Sequence, residues 1–291
     1  MLSGKRSVVK RKTKEILGIL LILLLTAVIY ALLRTGFTKK TAGYDILFLG
    51  DSRIVGAFSE KKIPEVVEKE TGLRALNGAL GGTTVSAFER EIYGESSTVT
   101  SGVYLSKLLG TGNLSVLLNT FDSASDYQRL ANRNADVAKL LAEADISGLK
   151  YVVLAYGVND CLAGVPVDDP KDPYNEACFG GALRAAVKNI GKAFPKAKVI
   201  IVTPAYFFLE GAAGDCNELT YGGGFLKEYS DCALRIAGEL GVSAVDGFGD
   251  LLIDAGNYRE YLADGLHFND AGVEMEAGKI AKIIKGLEED R

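Results

Sequence analysis

The chain has 291 residues, 48% of them hydrophobic and 24% charged, a makeup that fits a globular protein able to bury a sizeable core and shows no repeat or low-complexity tract. Its formal net charge is −4, yet nine of the 33 Lys/Arg fall within the first 40 residues beside a single acid, Glu15, which leaves residues 41–291 at a formal −12. An acidic body of that kind argues against a nucleic-acid partner.

Residues 1–15 form a basic segment containing Lys5, Arg6, Lys10, Arg11, Lys12 and Lys14. Residues 16–33, "ILGILLILLLTAVIYALL", follow without a charge. As a helix they reach roughly 27 Å, close to the thickness of a bilayer's hydrocarbon core. The stronger basic flank lies upstream, so the expectation is a transmembrane anchor with its N-terminus in the cytoplasm and the body outside. A cleaved signal peptide is the competing reading. It calls for a shorter apolar region and a small-x-small site, and "RTGFTKKTAG" after Leu33 offers none. Residues 34–43 read as a linker and 44–291 as one domain.

Within that domain, short apolar runs alternate with amphipathic stretches. Strands are predicted at 45–49, 74–76, 151–156, 199–203 and 243–245. "YVVLAY" and "VIIVT" are continuously apolar, which suits strands covered on both faces of a parallel sheet. Helices are predicted at 63–71, 125–144, 177–194, 225–240 and 271–287, several of them closing on Gly72, Pro195 or Gly241. This alternation implies right-handed βαβ crossovers. The expected fold is a three-layer helix-sheet-helix sandwich around a mainly parallel five-stranded sheet, flavodoxin-like in kind. Residues 83–112, rich in Ser, Thr and Gly, receive no assignment, and 162–175 reads as an exposed proline- and aspartate-rich loop.

Four cysteines, Cys161, Cys178, Cys216 and Cys232, form no CxxC, and with one histidine in the chain a zinc site is not expected. Outside a membrane, the sequence neighbours Cys161–Cys178 and Cys216–Cys232 could pair; free thiols are the alternative.

Ligands of open α/β sheets bind beyond the carboxyl ends of the strands, so the segments that follow each strand matter most. The first strand is followed by Gly50-Asp51-Ser52, the second by "NGALGGTT", the third by "GVND" and the fifth, further on, by "DGLHFND". A serine hydroxyl needs an adjacent base to act as a nucleophile. The single histidine, His267, stands three residues after Asp264, an acid that could accept its Nδ1 proton and leave Nε2 facing outward. Taken alone, Asp264-x-x-His267 could equally be the loop before a helix capped by Asn269 or Asp270, Gly81 a simple turn, and Asn159 a strand-end cap. "GVEMEAGK" has one residue too many for a P-loop, "GFGDLL" does not complete GxGxxG, and no GxSxG is present.

Together the four segments resemble the SGNH hydrolases, also called the GDSL family. "GDS" follows the first strand, "LGGTT" supplies a glycine, "GVND" matches the family's G-x-N-D and "DGLH" its D-x-x-H. The resemblance runs from about Tyr44 to Lys285. It implies a serine esterase with Ser52 as nucleophile, His267 as base, Asp264 as its orienting acid, and an oxyanion hole formed by Ser52 N–H, Gly81 N–H and the Asn159 amide. It implies no cofactor and no metal, and gives Asp160 a structural role. Two departures stand out. Arg53 replaces the family's usual leucine; it could place a guanidinium near the pocket, but a solvated first-turn residue is the favoured expectation. Gly81 and Gly82 are adjacent, which leaves the register of the donor open by one residue.

The resulting expectation is a membrane-anchored, extracytoplasmic serine esterase that removes small acyl groups from an acylated small molecule or glycan, with O-acetylated glycans or cell-envelope polymers as the substrate class. The competitors are an O-acyltransferase using the same triad and a catalytically silent glycan-binding module. Arg53, Tyr156, Tyr206 and Phe207 are candidates for the substrate groove because they follow strand ends. The rate is expected to fall as pH drops through the histidine pKa, near 6–7.

Overall fold

In the computed structural model the first strand, β1 (Ile46–Gly50), is buried on both faces along its whole length, and so is β3 (Tyr151–Ala155) beside it. Residues 43–88, 91–92, 95–119, 128–211 and 214–290 are described. The predicted anchor, the basic segment before it and nearly all of the linker lie outside them. Among the described residues no helix is long and apolar enough to cross a membrane.

Strands β2 (Ala75–Asn77), β4 (Lys198–Val202) and β5 (Ser243–Val245) complete one parallel sheet in the order β2-β1-β3-β4-β5. The register aligns Ile46 with Ala75 on one side and Tyr151 on the other, then Tyr151 with Lys198 and Ile200 with Ser243. Because every residue of β1 and β3 is apolar, neither face can be left to water, and helices cover both. Helix α2 (Ile63–Thr71) packs with the C-terminal helix α9 (Asp270–Glu289), while α3 (Gly102–Thr111), α6 (Phe179–Ala193) and α7 (Leu226–Leu240) form a second group. Helix α4 (Gln128–Glu143) packs against the turn Leu114–Asn119. The short helices α1 (Ser52–Val55), α5 (Val158–Ala163) and α8 (Tyr258–Tyr261) lie in the connections.

This strand order is the flavodoxin-like one. The winding reverses between β1 and β3, which opens a crevice at their carboxyl ends. The chain leaves β1 at Ser52 and β3 at Asn159, so the topology alone brings those two segments to one point.

Helix α3 lies inside the stretch that sequence left unassigned. Gly102, Ser106 and Gly110 make it a poor helix by propensity. Its Ser101 cap and the burial of Val103, Leu105, Leu108 and Leu109, partly against α6, hold it together. The 162–175 loop is only partly free. Positions 170–174 are exposed, but Asp168 is gripped by Arg184 in a short, half-buried ion pair. The proposed cysteine pairings are not formed: all four thiols are free and buried. Cys161 Sγ points to Gly224 O at 3.8 Å and Cys232 Sγ to Val167 O at 3.8 Å, each in its own packing niche.

Candidate active site

The site is assembled by backbone ladders that run past the ends of the strands. Gly50 has no room for a side chain, since a Cβ there would stand 2.7 Å from Ala155 O. Its lack of one lets β1 lie tight on β3 up to the last residue. Asp51 then caps α1, accepting from Arg53 N at 3.0 Å, and Ser52 becomes the first helical residue, half-exposed at the rim. The β1–β2 pairing continues into the next loop as Gly78 N donates to Phe48 O at 2.9 Å and Leu80 N to Gly50 O at 3.0 Å. Asn77 Nδ2 adds a bond to Ile54 O at 3.0 Å. These contacts bring Gly81 and Gly82 alongside Ser52's turn.

After β3, Gly157 takes φ 126°, a conformation a side chain would strain. The turn aims both following polar residues at the glycine loop. Asn159 Nδ2 donates to Thr83 O at 3.0 Å. Asp160, fully buried, accepts from Val85 N at 3.0 Å and Ser86 N at 3.1 Å, and burial pushes its carboxyl up to about 6. Asp160 therefore holds the loop and does not face the serine, as the resemblance implied.

The fourth segment closes the site. Asp264 Oδ1 accepts from the amides of His267 (2.7 Å) and Leu266 (3.0 Å), so the loop folds back on its own acid. Asp264 Oδ2 lies 2.8 Å from His267 Nδ1, and His267 Nε2 lies 2.9 Å from Ser52 Oγ. With Nδ1–H directed at the carboxylate, Nε2 is the acceptor for the serine proton. Asn269 caps α9 as well, accepting from Ala271 N at 2.9 Å and Gly272 N at 3.1 Å. Both readings of the Asp-x-x-His stretch hold together.

The electrostatics favour a neutral base over a settled anion. Partial burial raises Asp264, but hydrogen bonds from the His267 amide, the His267 ring and the Leu266 amide outweigh it and hold the carboxyl below its ordinary range. Burial lowers His267, opposed by Asp264 and assisted by the nearby Arg53 charge, and the net shift is downward from 6.5.

Three sequence expectations need correction. Gly81 is buried, and its N–H is already given to Asn134 Oδ1 at 2.8 Å while Asn134 Nδ2 returns a bond to Gly81 O at 3.1 Å. Among the described residues nothing accepts from Gly82 N–H, the next amide along. Arg53 is not solvated. It is 6% exposed and donates to the carbonyls of Ala205, Tyr206 and Leu266. Tyr156, Tyr206 and Phe207 are buried too, so none of the four groove candidates lines an open groove.

Two residues were missed. Phe58 lays its ring over the His267 imidazole, with centroids 4.0 Å apart and planes 13° from parallel, while staying 49% exposed. Its loop is held by Asp270, which accepts from Glu60 N at 2.9 Å, Lys61 N at 3.1 Å and Ser59 Oγ. Nothing local in the sequence announces this. Asn134 left a faint signal: it is a polar residue at helical spacing with Leu130, Val137 and Leu141 on an otherwise apolar stripe.

Comparison with known proteins shows the family and the fold. The model of the GDSL-like lipase/acylhydrolase family matches residues 48–275. A curated bovine relative (Bos taurus), an isoamyl acetate-hydrolyzing esterase 1 homolog, is 26% identical over 139 residues, 46% of this chain; the chain spans 55% of that relative's length. Solved structures share the fold at lower identity. A protein from Lactobacillus plantarum superposes with TM-score 0.58 at 15% identity, covering 84% of this chain and 98% of its own. A "possible lipase" from Chitinophaga pinensis gives 0.55 at 16%, covering 84% and 99%. With its family model matched from inside the first strand to inside the last helix, the chain belongs to the GDSL-like lipase/acylhydrolase family, whose members are serine hydrolases acting on ester bonds.

Proposed function

We propose that the protein is a membrane-anchored, extracytoplasmic esterase that removes small acyl groups through an acyl-enzyme. The observation that carries this reading is the unbroken chain Ser52 Oγ, His267 Nε2, His267 Nδ1, Asp264 Oδ2, with links of 2.9 and 2.8 Å. Ser52 attacks the ester carbonyl as His267 takes its proton. Asp264 stabilises the imidazolium, which then protonates the leaving alcohol. Water, deprotonated by the same imidazole, releases the acid and restores Ser52.

The tetrahedral oxyanion needs donors, each worth about 3 kcal/mol of barrier. Ser52 N–H and the second Nδ2 hydrogen of Asn159 fill two places. Gly82 N–H fills the third, in place of Gly81, whose amide is committed to Asn134. The anchor rests on the uncharged span 16–33 and its basic flank. A body held outside a membrane would meet acylated glycans or cell-envelope polymers, so O-acetyl groups on those polymers are the proposed substrate class.

The test uses the full chain in detergent micelles with 4-nitrophenyl acetate. The expected result is steady hydrolysis by the wild type and loss of at least a thousandfold in Ser52→Ala with its thermal unfolding unchanged. Unchanged turnover in that variant removes Ser52 as the nucleophile. Adding a glycan acceptor and finding the acyl group on it instead of in water would shift the assignment to an acyltransferase.

A further inference from the structure

The residue that follows Ser52 carries a charge into the interior, and the structure gives that charge a full set of contacts. Arg53 sits in α1 directly after Ser52, buried to 6% exposure. Its Nε donates to Leu266 O at 2.9 Å, one Nη to Ala205 O at 2.7 Å and the other to Tyr206 O at 2.7 Å. Its guanidinium carbon stands 5.0 Å from the centre of the Phe268 ring. Leu266 and Phe268 are the two neighbours of His267. A single side chain thus takes hold of the backbone before the base and the ring after it.

The simpler account would make Arg53 a counter-ion for buried acids. Asp51 and Glu276 do face it, across a space of about 10 Å³ that would hold one water. Yet all three guanidinium nitrogens donate to carbonyl oxygens and none to either carboxylate. Burial raises Asp51 to about 6 and Glu276 to about 8, and the Arg53 charge opposes both shifts. Charge neutrality accounts for the presence of a cation there. It does not account for a planar fork aimed at three carbonyls, two after β4 and one beside His267. The carbonyl pair is itself tied to the histidine loop, since Phe208 N donates to Gly265 O at 2.8 Å.

We infer that Arg53 is a positioning residue, a buried strut that fixes the loop on both sides of His267 to the turn carrying Ser52 and so sets the reach from Ser52 Oγ to His267 Nε2. A leucine at this place fills similar volume but cannot donate, so the loop would be held by packing alone. The kinetic consequence rests on the esterase reading given above; the positional claim does not.

The chain's one histidine makes the test direct, because the imidazole gives a single nitrogen-15 signal set that can be titrated. The groups facing that ring are Ser52, Asp264, the Phe58 ring and the Arg53 charge, with Asp51 and Glu276 behind Arg53. The variants are Arg53→Leu and Arg53→Lys, each also combined with Ser52→Ala. In Arg53→Leu we expect kcat to fall at least tenfold with KM within about twofold, and the imidazole to titrate at higher pH because a neighbouring positive charge is gone. Arg53→Lys should keep the imidazole titration close to wild type and still lose kcat, since an ammonium cannot span three carbonyls. In the wild type, Ser52→Ala should shift the imidazole signals; in the Arg53→Leu background it should shift them little, because the hydrogen bond is already loosened.

Wild-type kcat in a folded Arg53→Leu, or full rescue of kcat by lysine, overturns the proposal. If Arg53→Leu does not fold, Arg53→Leu/Glu276→Leu removes the facing acid and replaces it in every assay; failure of both that variant and Arg53→Lys to fold leaves Arg53 a purely structural residue and also overturns it. An inactive wild type whose Ser52 resists phosphonate labelling defeats the esterase reading, and the imidazole titrations still decide the strut.

Discussion

Asn134 offers the sharpest perturbation of the oxyanion loop because it touches that loop and nothing in the triad. Its amide sits in α4, 5% exposed, and makes a two-way clasp with Gly81: Gly81 N–H to Oδ1 at 2.8 Å and Nδ2 to Gly81 O at 3.1 Å. Asn134→Ala orphans a buried donor and a buried acceptor. At about 1–3 kcal/mol for each unsatisfied group, the loss of stability should be about 2–6 kcal/mol, readable in urea unfolding. The kinetic effect is bounded from above by the loss of one whole oxyanion donor, about 10²–10³-fold. Gly81 is the neighbour of the proposed donor and Leu80 N and Thr83 O remain held elsewhere, so a fall in kcat of roughly ten- to a hundredfold with KM little changed is expected. Asn134→Asp keeps the acceptor for Gly81 N–H but sets a carboxylate oxygen against Gly81 O and buries a charge, so it should lose at least as much stability as Asn134→Ala. A folded Asn134→Ala with wild-type kcat on 4-nitrophenyl acetate would refute the claim that this clasp sets the loop for catalysis.

Further expectations concern the base and the thiols. The base must be neutral to work, and burial lowers His267, so the acid limb of kcat/KM should have its midpoint below 6.5; a midpoint above 7, or a flat profile from pH 4 to 8, contradicts the assignment. Phe58→Ala removes the ring stacked on the imidazole, a contact worth about 1 kcal/mol, and should lower kcat about three- to tenfold while raising the imidazole pKa as water reaches the ring. No change in either measurement would make Phe58 a bystander. Burial pushes the Cys161 and Cys216 thiols up to about 12 and Cys232 to about 11. The folded protein should therefore resist thiol reagents, react at four sites once unfolded, and keep the same melting temperature with and without reductant; a reductant-sensitive melting curve would mean that disulfides form.

What could be read from the sequence follows physical range. The strands of the sheet were legible to within a residue or so because a strand buried on both faces must be continuously apolar, as "YVVLA" is. The Ser52 and Asn159 segments were legible because each lies just after a predicted strand, the Asp264 and His267 segment because it lies just before the last predicted helix, and the topology leaves one crevice for them. Helix α3 was hidden because its glycines and serines carry no helical preference and its stability comes from partners distant in sequence. Arg53 was misjudged for the same reason. Its three acceptors lie 152, 153 and 213 residues away, and a charge in a first helical turn is indistinguishable from a solvated one until those carbonyls are in place. Asn134, which takes up Gly81 N–H, lies 53 residues further on, out of reach of any local reading of the glycine pair.

The central claim is that Ser52 is a nucleophile activated by His267. A fluorophosphonate probe attacks only an activated serine, so the decisive measurement is its site of attachment in the full-length protein, read by peptide mass spectrometry. The account predicts one adduct, on the peptide carrying Ser52, formed in the wild type and at least a hundredfold more slowly in His267→Ala. An adduct on another residue, or labelling of Ser52 that is indifferent to loss of the imidazole, would contradict it.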